Sequence, residues 1–122
     1  MDIQQVYIRA YPKHTNDIRN PGSRPMKEFV EGTAIKFTLI IDESDATCTI
    51  SIDDPIKQIV VNEEGMTKEA DYVYAYVYQT IANHFGEGDW IVTLKATLSG
   101  ETVLTQEKFS LLDNRNLEIK YN

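Results

Sequence analysis

The sequence predicts an all-β domain, a sandwich of seven or eight short strands with a long loop near its N-terminus. Apolar and polar residues alternate with period two in segment after segment, while no window of a dozen residues keeps a helical stripe with matching caps. Turn-forming residues recur about every ten residues. With 122 residues, the chain is long enough for one domain with a single core.

The first half of the chain contains three alternating segments and one long loop. "VYIRAY" (6–11) alternates, and residues 12–26 then bring three of the four prolines and a glycine, which predicts a loop. After a turn at Gly32, "AIKFTLII" (34–41) places four large apolar residues on one face. "ATCTISI" (46–52) has apolar residues on one face and hydroxyl groups on the other, so both segments are predicted to cover the core.

The elements predicted for the middle of the chain are shorter. "DDPIK" (53–57) predicts a turn and "QIVVN" (58–62) a short strand. "EEGMTKEA" (63–70) fits either one turn of helix or a plain connection. "IANHFGEG" (81–88) carries two glycines and predicts another turn.

The C-terminal part predicts a hairpin. "DWIVTLKATL" (89–98) alternates most clearly, and Gly100 suits the tight turn that follows it. Residues 102–112 return as the partner strand. The alternation slips at Gln106 and Glu107, where we expect a β-bulge. The last ten residues fit either an edge strand at "LEIKY" or a tail.

The strand "DYVYAYVYQT" (71–80) carries a row of tyrosines separated by small apolar residues. If the row faces inward, the rings fill the sandwich; if it faces outward, the phenols line a surface at about 7 Å spacing. The outward arrangement would suit sugar rings or a neighbouring subunit, whereas burial of most of the rings is the expectation for aromatic residues in strands. The tyrosines of the row are Tyr72, Tyr74, Tyr76 and Tyr78. Trp90 shares a face with apolar neighbours and is predicted to lie in the core.

Charge is unevenly distributed along the chain, whose net charge is −7. Residues 1–27 carry +3 and residues 28–122 carry −10, so nucleic acid and anionic membranes are disfavoured as partners. Two hypotheses fit the basic segment: a docking arm that binds the acidic body of a neighbour, or a first strand and loop packed on its own domain. The basic residues of the arm hypothesis are Arg9, Lys13, Arg19, Arg24 and Lys27.

Catalytic and metal-binding patterns are missing from the sequence. It has no Gly-x-Ser-x-Gly, phosphate loop or His-Glu-x-x-His, so we predict no enzyme activity, no cofactor and no metal. The acids cluster in turns without a calcium-loop pattern, and His14 and His84 have no ligand partners in sequence. The single Cys48 is predicted to be a buried thiol. With no signal peptide or long apolar run visible, we expect synthesis in the cytoplasm.

Several of these segments resemble the immunoglobulin-like domains of bacteria and phages. "FVEGTAIKFTLIID" is similar to their opening strand, "DDPIKQIVV" to their Asp-Pro turn, and "YVYAYVYQT" followed by "GEGDWIVTLKATLSGE" to their Tyr-x-Tyr and Gly-x-aromatic strands. The resemblance spans about residues 25–112 and implies an immunoglobulin-like β-sandwich there. The residues on either side predict an N-terminal strand and basic proline-containing loop over 1–24 and a tail or edge strand over 113–122.

The resemblance also implies a role. Such modules serve as phage virion components, so the leading hypothesis is a non-enzymatic structural protein, a decoration, neck or tail module, that binds itself or other virion proteins. It would be incorporated in a virion. The alternative is a carbohydrate-binding or adhesive module that uses the tyrosine row with Trp90. A bacterial cytoplasmic protein of unrelated role is the third hypothesis.

Overall fold

A computed structural model describes residues 1–11, 27–81 and 88–112, and within these ranges it has strands and turns but no helix. The described ranges form nine strands, one or two more than the sequence predicts. They are β1 (Ile3–Ala10), β2 (Lys27–Val30), β3 (Ala34–Ile41), β4 (Thr47–Asp53), β5 (Ile59–Gly65), β6 (Thr67–Ala70), β7 (Val73–Gln79), β8 (Asp89–Leu98) and β9 (Glu101–Leu112).

The strands form two sheets. The first sheet has the order β1-β3-β7-β6, and the second has the order β2-β9-β8-β4-β5. All pairings are antiparallel except that β2 runs parallel to the end of β9. The prediction of an all-β sandwich is therefore confirmed.

The core lies between the two sheets and is built from the predicted apolar faces. Alternate residues of β3, β4 and β8 are buried, as their period-two pattern predicts. Trp90 is among the largest fully buried side chains, and its ring stacks on Phe109 with 5.5 Å between centroids. The prediction that Trp90 belongs to the core is confirmed.

Two predictions about the strands are wrong. The β8–β9 register is unbroken from Asp89 to Leu98, so there is no bulge at Gln106 and Glu107. The alternation continues there with polar residues, since Glu107 lies on the inner face of β9 and is half-buried. Residues 63–70 are neither a helical turn nor a plain connection, because they complete β5 and form β6.

Backbone geometry explains the tight turns. Gly32 has a φ of 94°, which confirms the predicted turn before β3. Ser99 and Gly100 connect β8 to β9 with φ values of 53° and 83°, the positive pair that a two-residue type I′ hairpin requires. The β4–β5 turn depends on the buried Asp54, whose Oδ1 accepts hydrogen bonds from the Gln58 and Ile56 amides.

The N-terminal strand belongs to the sandwich. β1 pairs with β3 from Ile3 to Ala10, so the two sheets draw on more of the chain than the predicted range 25–112. The long loop predicted over 12–26, most of the turn over 81–88 and the C-terminal segment lie outside the described residues. In the described part of the chain, no helix is long and apolar enough to cross a membrane.

Candidate functional site

Three of the four predicted binding tyrosines point into the sandwich. Tyr74, Tyr76 and Tyr78 pair across the first sheet with Leu39, Phe37 and Ile35, which are all fully buried residues of β3. Because paired residues lie on the same face of a sheet, these tyrosines share the inner face. The outward platform is therefore not the arrangement in the structure, and the expectation that most of these rings pack within the domain is confirmed.

Tyr74 is the most deeply placed of the three. Its side chain is 3 % exposed, and its hydroxyl donates a hydrogen bond of 3.0 Å to the Ser44 carbonyl. The Lys68 ammonium donates to the same carbonyl. Burial raises the pKa of Tyr74, and the nearby Cys48 thiol adds to this rise. The buried phenol thus has the partner that its polar tip requires.

Tyr76 and Tyr78 are half-buried and pack against the edge of the core. The Tyr78 ring lies 6.4 Å from the Trp90 ring. Burial is the main cause that raises the pKa of both phenols; Glu64 adds to the effect at Tyr76 and Asp54 at Tyr78. These two rings fill space between the sheets and leave no free aromatic row.

Tyr72 differs from the other three because it precedes β7. It lies in the turn after β6 with a φ of 73°, and its side chain is 47 % exposed. Its carbonyl accepts the amide of Ile41 at 2.9 Å. The period-two pattern extended the tyrosine row to Tyr72, and this was wrong, since the residue precedes β7, has a left-handed backbone and is exposed, whereas Tyr74 is buried.

Two of the five basic residues in the predicted docking arm lie in the described ranges. Arg9 is exposed on β1, and Lys27 is exposed at the start of β2. Both belong to strands of the sandwich, so at these two positions the chain packs on its own domain. Lys13, Arg19 and Arg24 lie outside the described residues.

The outer face of the first sheet displays a group that the sequence analysis did not single out. Tyr7, Arg9 and Tyr11 alternate with the inward residues of β1, and Lys36 of β3 lies opposite Arg9. We call these four residues the aromatic-cationic face. Tyr11 is 48 % exposed, and its amide donates to the Ala34 carbonyl, which continues the β1–β3 ladder by one residue. The signal was present in "VYIRAY" (6–11), in which Tyr7, Arg9 and Tyr11 alternate on one face of the strand.

The cations of this face are positioned over the rings. The Arg9 guanidinium lies 4.5 Å from the Tyr7 ring centroid, and the Lys36 ammonium lies 5.6 Å from the Tyr11 centroid. Lys36 also forms an ion pair of 3.0 Å with Glu69. The Tyr7 hydroxyl donates to the Gln5 side chain. The result is an ordered patch of rings and positive charge, which can contact acidic and planar groups on a protein surface.

The remaining titratable groups of the described ranges include one buried thiol and no cluster that could hold a metal ion. No three of their His, Cys, Asp or Glu side chains are grouped to hold a metal ion. Cys48 is buried as predicted, and burial raises the pKa of its thiol to about 11. His14 and His84 lie outside the described residues.

Comparisons with known proteins identify the fold and no family. No protein-family model and no curated protein matches the sequence. Among solved structures, an engineered protein aligns with 88 % of this chain at 11 % identity and a TM-score of 0.55. The endo-β-1,4-mannanase from Thermotoga petrophila aligns with 93 % of the chain at 15 % identity and a TM-score of 0.52. The aligned regions are 20 % and 21 % of those longer chains, and at such identities the likeness concerns the fold alone.

Proposed function

We propose that this protein is a non-enzymatic interaction domain with an immunoglobulin-like sandwich, which binds an acidic protein surface through its aromatic-cationic face. The surface belongs to another copy of the chain or to a second protein of the same assembly. The phage virion role rests on the sequence resemblance, which supplies the kind of assembly in which such a domain would work.

The strand order supports the immunoglobulin-like part of the proposal. Immunoglobulin sandwiches place strands A, B, E and D in one sheet and C, F and G in the other. With β1 as strand A, the orders β1-β3-β7-β6 and β9-β8-β4 follow the same arrangement. The antibody-type disulfide is not available to a chain with a single cysteine.

The observation that carries the proposal is the display of Tyr7, Arg9 and Tyr11 on the outer face of an edge strand. Tyrosine and arginine are enriched in protein interfaces, because each offers a large contact area with a polar or charged end. No other element of the described ranges covers this face. With Lys36 paired to Glu69, Arg9 supplies the excess positive charge of this face on a chain of net charge −7, and this charge favours acidic partners.

The carbohydrate-binding alternative loses the aromatic row on which it depended. Tyr74, Tyr76 and Tyr78 face the core, and Trp90 is fully buried. On the aromatic-cationic face, Arg9 lies over the Tyr7 ring, in the position where a sugar ring would stack. We therefore do not propose this function. The binding role of Tyr72, the exposed member of the row, stays a prediction.

The test is a pair of charge reversals of equal size. Arg9→Glu alters the aromatic-cationic face, and Lys57→Glu alters an exposed lysine in the β4–β5 turn. Self-association is measured by light scattering over a range of concentrations, at low and high salt. We expect association through the aromatic-cationic face to weaken as salt rises and Arg9→Glu to weaken it about fivefold to tenfold, because attraction becomes repulsion. Lys57→Glu should match the wild type.

Equal weakening by both variants would attribute the effect to net charge and contradict the assignment of the face. If the wild type is monomeric, the same variants are compared for binding to proteins of its assembly. Unchanged binding by Arg9→Glu there would reject the proposal.

A further inference from the structure

We propose that residues 101–108 of β9 pair edge to edge with the same residues of a second copy, so that two five-stranded sheets become one continuous sheet across a two-fold axis. This contact lies on the second sheet. It is independent of the aromatic-cationic face and of the function proposed for that face.

The edge of β9 has a long stretch without a strand partner in the described ranges. β8 covers one side of β9 over residues 101–110, from Leu98 opposite Glu101 to Asp89 opposite Ser110. On the other side, β2 pairs only with the last four residues, from Phe109 to Leu112. Among the described strands, none pairs with that side of residues 101–108. A row of backbone N–H and C=O groups on such an edge is a template for another strand.

Three strands at the sheet edges, β1, β5 and β6, are bulged or short, whereas β9 is long and regular. Natural sheets blunt their edges with bulges and short strands, which prevent pairing with other chains. β5 has two register shifts against β4, and β6 has four residues and one shift. β1 has a shift near its start. β9 has no shift against β8, and residues 101–108 contain no proline.

The exposed Leu104 indicates that the strand pairing with this edge is β9 of a second copy. Leu104 lies near the middle of the stretch on the outer face, with 61 % of its side chain exposed. A two-fold axis perpendicular to the sheet keeps each residue on its own face, so the residue on the axis must face its own copy. With Leu104 on the axis, the two leucines cover each other. The remaining opposed pairs would be Val103 with Thr105, Thr102 with Gln106, and Glu101 with Glu107.

One opposed pair in this register is unfavourable and provides a test. Glu101 faces Glu107 of the partner, and the symmetry creates this like-charge pair twice. Added salt should therefore strengthen the dimer, which is opposite to the salt effect expected for the aromatic-cationic face. Measuring the dimer in the Arg9→Glu background separates the two contacts.

The first experiment replaces the residue on the axis. Leu104→Asp places two like charges opposite each other, and we expect the dissociation constant of the dimer to rise at least about tenfold. The matched control is Ile59→Asp on the edge of β5, since Ile59 is 62 % exposed and its loss removes similar apolar surface. The readouts are sedimentation equilibrium and hydrogen exchange at Thr102, Leu104 and Gln106, whose amides point away from β8, because Leu98 and Glu101 form the hydrogen-bonded pair that closes the two-residue hairpin. Their amides should gain protection as protein concentration rises in the control and not in Leu104→Asp.

The second experiment reverses one charge of the unfavourable pair. Glu107→Lys turns both like-charge pairs into opposite-charge pairs, so the dimer should tighten severalfold and weaken as salt rises. Glu64→Lys makes the same charge change on the exposed part of β5 and is expected to leave this contact unchanged. Equal effects of the two reversals would reject the register.

Three results would overturn the proposal. A monomer at all concentrations with protected amides at Thr102, Leu104 and Gln106 would show that another part of the same chain covers the edge. A monomer with unprotected amides would show an open edge. A dimer that Leu104→Asp does not weaken would place the contact elsewhere.

Discussion

Replacing Tyr72 and Tyr74 separately by alanine tests the inward orientation of the tyrosine strand. Both residues are tyrosines two positions apart, but Tyr72 lies in the turn before β7 and Tyr74 lies within β7. Tyr74 is 3 % exposed and Tyr72 is 47 % exposed. If the structure is right, the free energy of unfolding should fall sharply for Tyr74→Ala and hardly change for Tyr72→Ala.

The expected difference follows from burial and hydrogen bonding. Truncating a buried aromatic ring to alanine costs about 3–5 kcal/mol, since transfer free energy is lost and a cavity remains. Losing the hydrogen bond from the Tyr74 hydroxyl adds about 1 kcal/mol. For Tyr72→Ala we expect a change within about 0.5 kcal/mol, because the side chain is half in water. Its backbone keeps a positive φ in either case.

The assay is equilibrium urea unfolding followed by tryptophan fluorescence, since Trp90 is fully buried in the core. Tyr74→Phe is the companion variant: it keeps the ring and removes the hydroxyl, so it should lose only about 1 kcal/mol. The Ser44 carbonyl retains the Lys68 ammonium as a donor in this variant. Equal losses for Tyr72→Ala and Tyr74→Ala, or a loss below about 1 kcal/mol for Tyr74→Ala, would refute the inward orientation.

Three further predictions concern single positions. Burial raises the folded-state pKa of Cys48 from 9.0 to about 11. The protonated thiol therefore contributes stability on the order of 2 kcal/mol, which is complete below about pH 9 and is lost as the pH rises toward 11. Urea unfolding at pH 8–11 should show an earlier decline in stability for the wild type than for Cys48→Ala. Asp54→Ala should lose about 2 kcal/mol or more by the same assay, because the Gln58 amide loses its acceptor; an unchanged midpoint would contradict this. Ser99→Asn should raise stability by about 0.5 kcal/mol, since Asn-Gly suits the hairpin that Ser99 and Gly100 form, and a lower thermal midpoint would count against it.

The strands with one buried face were predictable from sequence, because burial of one face imposes a period-two pattern of apolar residues. β3 and β8 show this clearly, with every second residue buried. β6 was missed for the same physical reason: its four residues are all exposed, so no alternation marks it as a strand. Backbone pairing with β7 holds it in the sheet, and sequence patterns do not report that pairing.

The errors at and near the candidate site occur at residues where the period-two pattern does not match the backbone conformation or the burial. At Tyr72, a bulky residue adopts a left-handed φ that few sequence rules would assign to tyrosine. At Glu107, a charged residue occupies an inward, half-buried position of β9. This residue interrupts the apolar pattern, so a bulge was predicted although the register is regular. The aromatic-cationic face was not predicted, because the alternation in β1 indicates a strand but does not report that the Arg9 and Lys36 cations lie over the Tyr7 and Tyr11 rings.

Under the two proposals, a dimer paired through β9 presents the aromatic-cationic faces of both copies on the same side. A two-fold axis perpendicular to the second sheet leaves both copies with their second sheets on one side and their first sheets on the other. The aromatic-cationic faces, which lie on the outer side of the first sheets, would then point the same way. Two such faces on one dimer can bind a surface that repeats its acidic sites, and the second contact forms at a high effective concentration. The β9 contact would thereby strengthen binding through β1 without touching the partner, so Leu104→Asp should weaken attachment to a repeating surface and leave the affinity for a single site unchanged.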